Sequence, residues 1–130
     1  MDNMLHREDI TENVIAIKIN RSYRAPMEKN RLYEATRGYW KLNRTRAEQA
    51  EYALSVYRGV IKEVYKIEAW LPAGTIPRST LPDAELPEGR YEFVGEIAEE
   101  RTREKYLGKS IAHLYRKGEA NPIKYFLGHS

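Results

Sequence analysis

A chain of 130 residues, 42% hydrophobic and 32% charged, is long enough for one domain with a real core and a wet surface. It has no cysteine, which excludes disulfides and thiolate metal sites and makes a reducing, cytoplasmic setting the expectation. No apolar run approaches the roughly 20 residues of a membrane span, so no membrane partner is expected.

The net charge of +3 is unevenly spread. Residues 18–46 hold nine bases against two acids, and residues 101–130 hold seven against two, whereas 1–17 and 47–100 are acidic. A fold that brought the two basic segments together would present a face that attracts phosphate over about 8–10 Å.

In chain order, the start MDNMLHREDITEN is polar and acidic, neither a signal peptide nor a transit peptide, and residues 1–12 read as a flexible tail. Val14 to Ile19 is a β-rich run whose isoleucines at 15, 17 and 19 share one face, which predicts a strand with one buried side. Pro26 suits the first turn of a helix in which Leu32, Tyr33, Thr36, Tyr39 and Trp40 recur at helical spacing. Gly38 is expected to end or kink it in a left-handed conformation. Thr45-Arg-Ala-Glu48 has the form of a capping box for a second short helix.

Residues 52–70, YALSVYRGVIKEVYKIEAW, are rich in β-branched and aromatic side chains and predict two strands joined near Gly59. With four prolines and two glycines, residues 71–90 read as a long loop. Alternation over Arg90 to Ile97 predicts another strand, Thr102 to Tyr115 a helix weakened by Gly108, and Ile123 to Leu127 a last strand. The order β–α–(α)–β–β–loop–β–α–β implies a single α+β domain over 13–130, with a small curved mixed sheet or pseudo-barrel, two or three flanking helices and a Pro-rich loop at 71–90.

The segments IKINRSYR, LYEATRGYWKL, AEYALSVYRGVIKEVYKIEAW, YEFVGE, YLGKSIAHLY and G-x-x-NPIKYF resemble a bacterial and phage module. That module stands alone or forms the C-terminal part of GIY-YIG-type nuclease proteins. The likeness covers roughly residues 13–127 apart from the loop. The arrangement is also similar to the PUA/EVE/ASCH group of small pseudo-barrels, in which a strand pair runs through the barrel beside a cleft for nucleic acid or a modified base. The resemblance implies a PUA-like fold, an RNA or DNA partner and, as a further partner, a nuclease protein. No GIY…YIG pair occurs, so nuclease activity does not carry over.

The residues themselves offer little chemistry. His6, His113 and His129 are scattered, so no metal or cofactor is expected. Glu63-Val-Tyr-Lys66 is one residue too long for the Glu-x-Lys of a metal-dependent nuclease, and would place its side chains on opposite strand faces. Glu63, Glu68, Glu92 and Glu96 would have to converge across strands to catalyse. REKYLGKS lacks the first glycine of a phosphate-binding P-loop.

Binding is better supported. TRGYWKLNRTR, residues 36–46, interleaves cations with rings and contains no acid. Arg21, Arg24, Arg37, Lys41, Arg44 and Arg46, with Lys109 and Lys124, are the candidate phosphate contacts, since each ion pair releases counterions. Tyr39, Trp40 and Trp70 are the candidate base-stacking faces. Asn121 is expected to organise its turn, with an amide that could read a base edge if the turn lies at the cleft. The leading expectation is a non-catalytic nucleic-acid-binding module accepting a base in an aromatic cleft. The rivals are a small nucleic-acid-processing enzyme and a binder of a small anionic nucleotide.

Overall fold

Strand β1, Val14–Lys18, has neighbours on both sides. It runs parallel to β3, Tyr52–Tyr57, and antiparallel to β6, Ile123–Phe126. A computed structural model describes residues 3–20, 28–78 and 89–128 of the chain. Beyond β3 come β4, Val60–Pro72, then β5, Arg90–Ile97, and at the far edge the two-residue β2, Trp40–Lys41. The sheet order is β2-β5-β4-β3-β1-β6. Among the described residues the result is an α+β fold with a curled, mixed half-barrel sheet and three helices: α1, Lys29–Arg37, α2, Arg44–Ala47, and α3, Glu100–Tyr106.

The two sides of β1 enter different cores. Val14 and Ala16 pack with Leu54, Val56, Ile61, Tyr106 and Phe126. Ile15 and Ile17 pack with Leu32 of α1, Ala47 of α2, Tyr65, Trp70 and Phe93. The expectation of one buried side is therefore corrected: both sides are covered, as a strand flanked by neighbours and helices requires.

The predicted hairpin is present. Arg58 and Gly59 both have positive φ, 48° and 79°, and form the two-residue link between β3 and β4. This is the turn whose twist matches paired strands. Two irregularities bend β4, one opposite Ser55/Val56 and one between Ile67 and Ala69. At the second, Gly95 faces the sheet so closely that an added Cβ would lie 2.1 Å from the Lys66 carbonyl oxygen.

Several local expectations are corrected. Residues 3–12 are not simply frayed: Leu5 and Ile10 are buried, and Leu5 N–H donates to the Ser110 carbonyl at 2.9 Å. Gly38 does end α1, but with extended backbone, φ −172°, and the reason for glycine there is space. A Cβ would stand 2.9 Å from that of Glu92. Trp40 belongs to β2, not to the helix. The cap of α2 is Asn43, whose side chain accepts from Arg46 N–H at 3.0 Å, and not the Thr45–Glu48 box. The helix predicted over 102–115 stops at Tyr106. Gly108, with φ 79°, turns the chain into a single 3-10 turn at Ala112–Leu114. Of the Pro-rich loop, residues 79–88 lie outside the described residues, while Leu71 and Pro72 extend β4.

Candidate functional site

The sheet curls until its two edge regions line one cleft of about 740 Å³. From one side come Gly38, Tyr39, Trp40 and Lys41, at the end of α1 and in β2, together with Arg78 and with Arg90 at the start of β5. From the other come Lys18 at the end of β1, Ile19 and Asn20 just after it, and Ala120, Asn121 and Pro122 leading into β6. Four of these lining residues are cations and none is an acid.

The rings are held by backbone. Trp40 Nε1–H donates to the Thr36 carbonyl at 2.7 Å, so the indole is fixed by the last turn of α1. Thr36 is itself buried, with its hydroxyl on Ser55 Oγ at 2.9 Å. The Arg78 guanidinium lies over the Tyr39 ring, 3.9 Å from its centroid, and donates to the Gly38 carbonyl at 2.6 Å. Arg90 donates to the Tyr39 carbonyl at 3.2 Å. Across the cleft, Lys18 Nζ donates to the Glu119 carbonyl at 2.6 Å and sits 4.4 Å above the Tyr115 ring. The Glu119 carboxylate is paired with Lys124 at 3.1 Å. Its pKa is held below the ordinary value by the Arg116 N–H and then by Lys124.

A buried ion pair builds the Arg78 side. Arg37 and Glu92, 3% and 0% exposed, lie 3.1 Å apart in the interior. Glu92 also accepts from Gly74 N–H at 3.2 Å and Ile76 N–H at 2.8 Å, and Arg37 Nη2 reaches the Pro77 carbonyl at 3.4 Å. The pair thus fastens residues 74–77 to the sheet and delivers Arg78 to the cleft. A carboxylate that accepts two backbone N–H groups beside a guanidinium is well satisfied, which is what a buried charge needs.

The residues expected from sequence divide accordingly. Tyr39, Trp40 and Lys41 line the cleft. Arg37, expected to face phosphate, is in the interior on Glu92. Trp70, expected as a stacking face, is 3% exposed and packs edge-on against Phe93 at 5.4 Å. Arg44 and Arg46 are exposed outside the cleft, Arg44 donating to the Trp70 carbonyl and Arg46 lying over Tyr125 at 4.3 Å. Lys109 and Lys124 are half-buried and also outside it, Lys124 lining a smaller hollow with Arg116 and Lys117. Arg21 and Arg24 lie outside the described residues.

Lys18, Arg78, Arg90 and Asn20 are additions that the sequence reading missed. Each is a polar residue at the start or end of an apolar strand or just past it, or sits in the Pro-rich segment. Position at a strand end is the one signal that pointed to them. Asn121 does lie at the cleft.

Two of the four acids weighed for catalysis, Glu63 and Glu92, are engaged elsewhere. Glu63 takes a two-pronged bond from Arg103, at 2.8 and 3.1 Å, and Glu92 holds Arg37. Among the described residues no group of three or more histidines and acids is placed to hold a metal ion. His113 is exposed, with its ring edge-on to His6 at 5.5 Å. Comparison of the chain with protein-family models, with curated proteins and with solved structures returned no match.

Proposed function

We propose that the protein is a nucleic-acid-binding module without catalysis of its own, PUA-like in build, that holds a single strand in the cleft between its sheet edges. The observation that carries this reading is the lining: among the described residues, four cations and two rings surround about 740 Å³, and none of the lining residues is an acid. Cations there suit the strand's phosphates, and the indole fixed on Thr36 is a rigid stacking face for a base. A duplex is too broad to enter a space of this size, whereas one or two nucleotides fit. A nuclease-bearing protein as partner is a proposal that rests on the sequence resemblance alone.

A free nucleotide is the second reading, favoured by the same cleft volume. Salt separates the two. Binding of labelled single-stranded and duplex RNA and DNA is measured by anisotropy over a range of salt. The two or three phosphates of one or two seated nucleotides predict a log–log slope of about −1.5 to −2. Exposed Lys41 is changed to glutamate in parallel, which is expected to weaken binding and to flatten the slope by about 0.7, the share of one phosphate. Single-strand preference with that slope supports the module. No binding of any strand, together with salt-insensitive binding of a mononucleotide, would replace it with the second reading.

A further inference from the structure

We infer that the cleft discriminates between bases by their exocyclic group, favouring keto bases (uracil, thymine, guanine) over amino bases (cytosine, adenine). The inference rests on the proposed reading of the cleft as a nucleic-acid site. Two amides line it, those of Asn20 and Asn121. Each has its oxygen committed to the backbone. Asn20 Oδ1 accepts from Arg58 N–H at 3.0 Å, and Asn121 Oδ1 accepts from Ile123 N–H at 2.9 Å. A backbone N–H can only face an amide oxygen, so these bonds also fix which way round each amide sits. With its oxygen turned to that backbone N–H, each amide presents its NH2, a donor, in the other direction.

The rest of the lining points the same way. Lysine and arginine are donors only, and the Trp40 N–H is already spent on Thr36. The carbonyls of Gly38, Tyr39 and Pro122 each accept a bond within the protein, from Arg78, Arg90 and the Lys18 N–H. Among the described lining residues the Lys, Arg and Asn side chains therefore offer donors, the Tyr39 hydroxyl can donate or accept, and no carboxylate is placed to accept from an exocyclic amine. Phosphate satisfies the cations whatever the sequence. At the amides a carbonyl oxygen on the base is matched, and an amino group meets donor with donor and leaves both unpaired.

The test compares bases that differ only in this group. Short labelled homo-oligomers of uridine and cytidine form one pair and of inosine and adenosine the other, so ring size and stacking stay comparable within each pair. Uridine is expected to bind about tenfold tighter than cytidine, and inosine about tenfold tighter than adenosine, the cost of one unmatched donor. Asn20→Asp and Asn121→Asp each retain an oxygen for the backbone N–H and turn the NH2 into an acceptor. The added charge lowers all affinities, so the ratio within each pair is the readout, and in at least one variant it should collapse to one or invert. Equal binding of all four oligomers overturns the discrimination and leaves the binding module standing. A preference that survives in both variants overturns the assignment to these amides. Failure of every oligomer to bind overturns the underlying reading, and this inference with it.

Discussion

Arg37 and Arg44 stand in the same basic stretch, and composition gives no reason to separate them. Their surroundings do. Arg37 is paired with Glu92 in the interior, whereas the Arg44 side chain is 45% exposed and lies 4.0 Å from Glu48. Arg37→Ala is expected to destabilise by about 3–5 kcal/mol, because it strands a buried carboxylate. Urea denaturation checks this, and replacing both partners by apolar residues of similar volume should cost much less. Equal costs for the single and double changes would contradict the pairing. The sequence could not reveal the pair, since its partners are 55 positions apart and meet only once α1 lies on β5.

Glu99 gives a prediction in pH. Hydrogen bonds from Thr102, at 2.6 Å, and from Tyr52 lower its pKa from 4.5 to about 2. Glu12 is also lowered: burial pushes it up, but bonds from Tyr106 and Lys105 outweigh that. A depressed carboxyl stabilises the fold fully above its unfolded value and loses that contribution as pH falls through the folded one. Thermal melting should therefore decline as pH drops from 4.5 towards 2, and decline less steeply in Glu99→Gln. Parallel slopes for the two proteins would remove Glu99 from the account.

At the scale of elements, the long strands were legible and the short pieces were not. Alternation in 14–19 and 90–97, and the Arg58–Gly59 turn, are local signals, and β1, β5 and the hairpin follow from them. Strand β2 has two residues and exists because Trp40 and Lys41 find Tyr91 and Arg90, so no local pattern announces it. The same long-range pairing moved Trp40 off the predicted helix and onto the cleft wall. Gly38 and Gly95 were legible as glycines but not as close approaches. Gly95→Ala should cost about 3 kcal/mol or more, the upper end of overpacking, since the atom in its way is backbone. Gly118→Ala, with φ 78° and nothing within 4 Å, should cost only the conformational strain of about 1–2 kcal/mol. Denaturation midpoints of the two variants give the comparison, and equal losses would deny the tight contact at the β4 bend.

For the whole molecule, the expectation that the two basic segments would meet on one face is not what the cleft shows, since residues 101–130 line it without giving it a cation. Lys18 and Lys41 come from the first basic segment, whereas Arg78 and Arg90 come from the acidic one. Curling of the sheet, and not charge along the chain, selects which cations meet. It also separates the two tryptophans, placing Trp40 at the cleft and Trp70 in the core. Trp70 Nε1 has no hydrogen-bond partner among the described residues, so Trp70→Phe removes no bond and leaves Trp40 as the sole tryptophan.

That separation makes the central claim directly measurable. Tryptophan emission is followed while a single-stranded oligonucleotide is added to Trp70→Phe, which reports on Trp40, and to Trp40→Phe, which reports on Trp70. A base stacked in the cleft predicts saturable, salt-sensitive quenching in the first variant and almost none in the second. No quenching in the first, or the same change in both, would contradict a nucleic-acid site at the cleft.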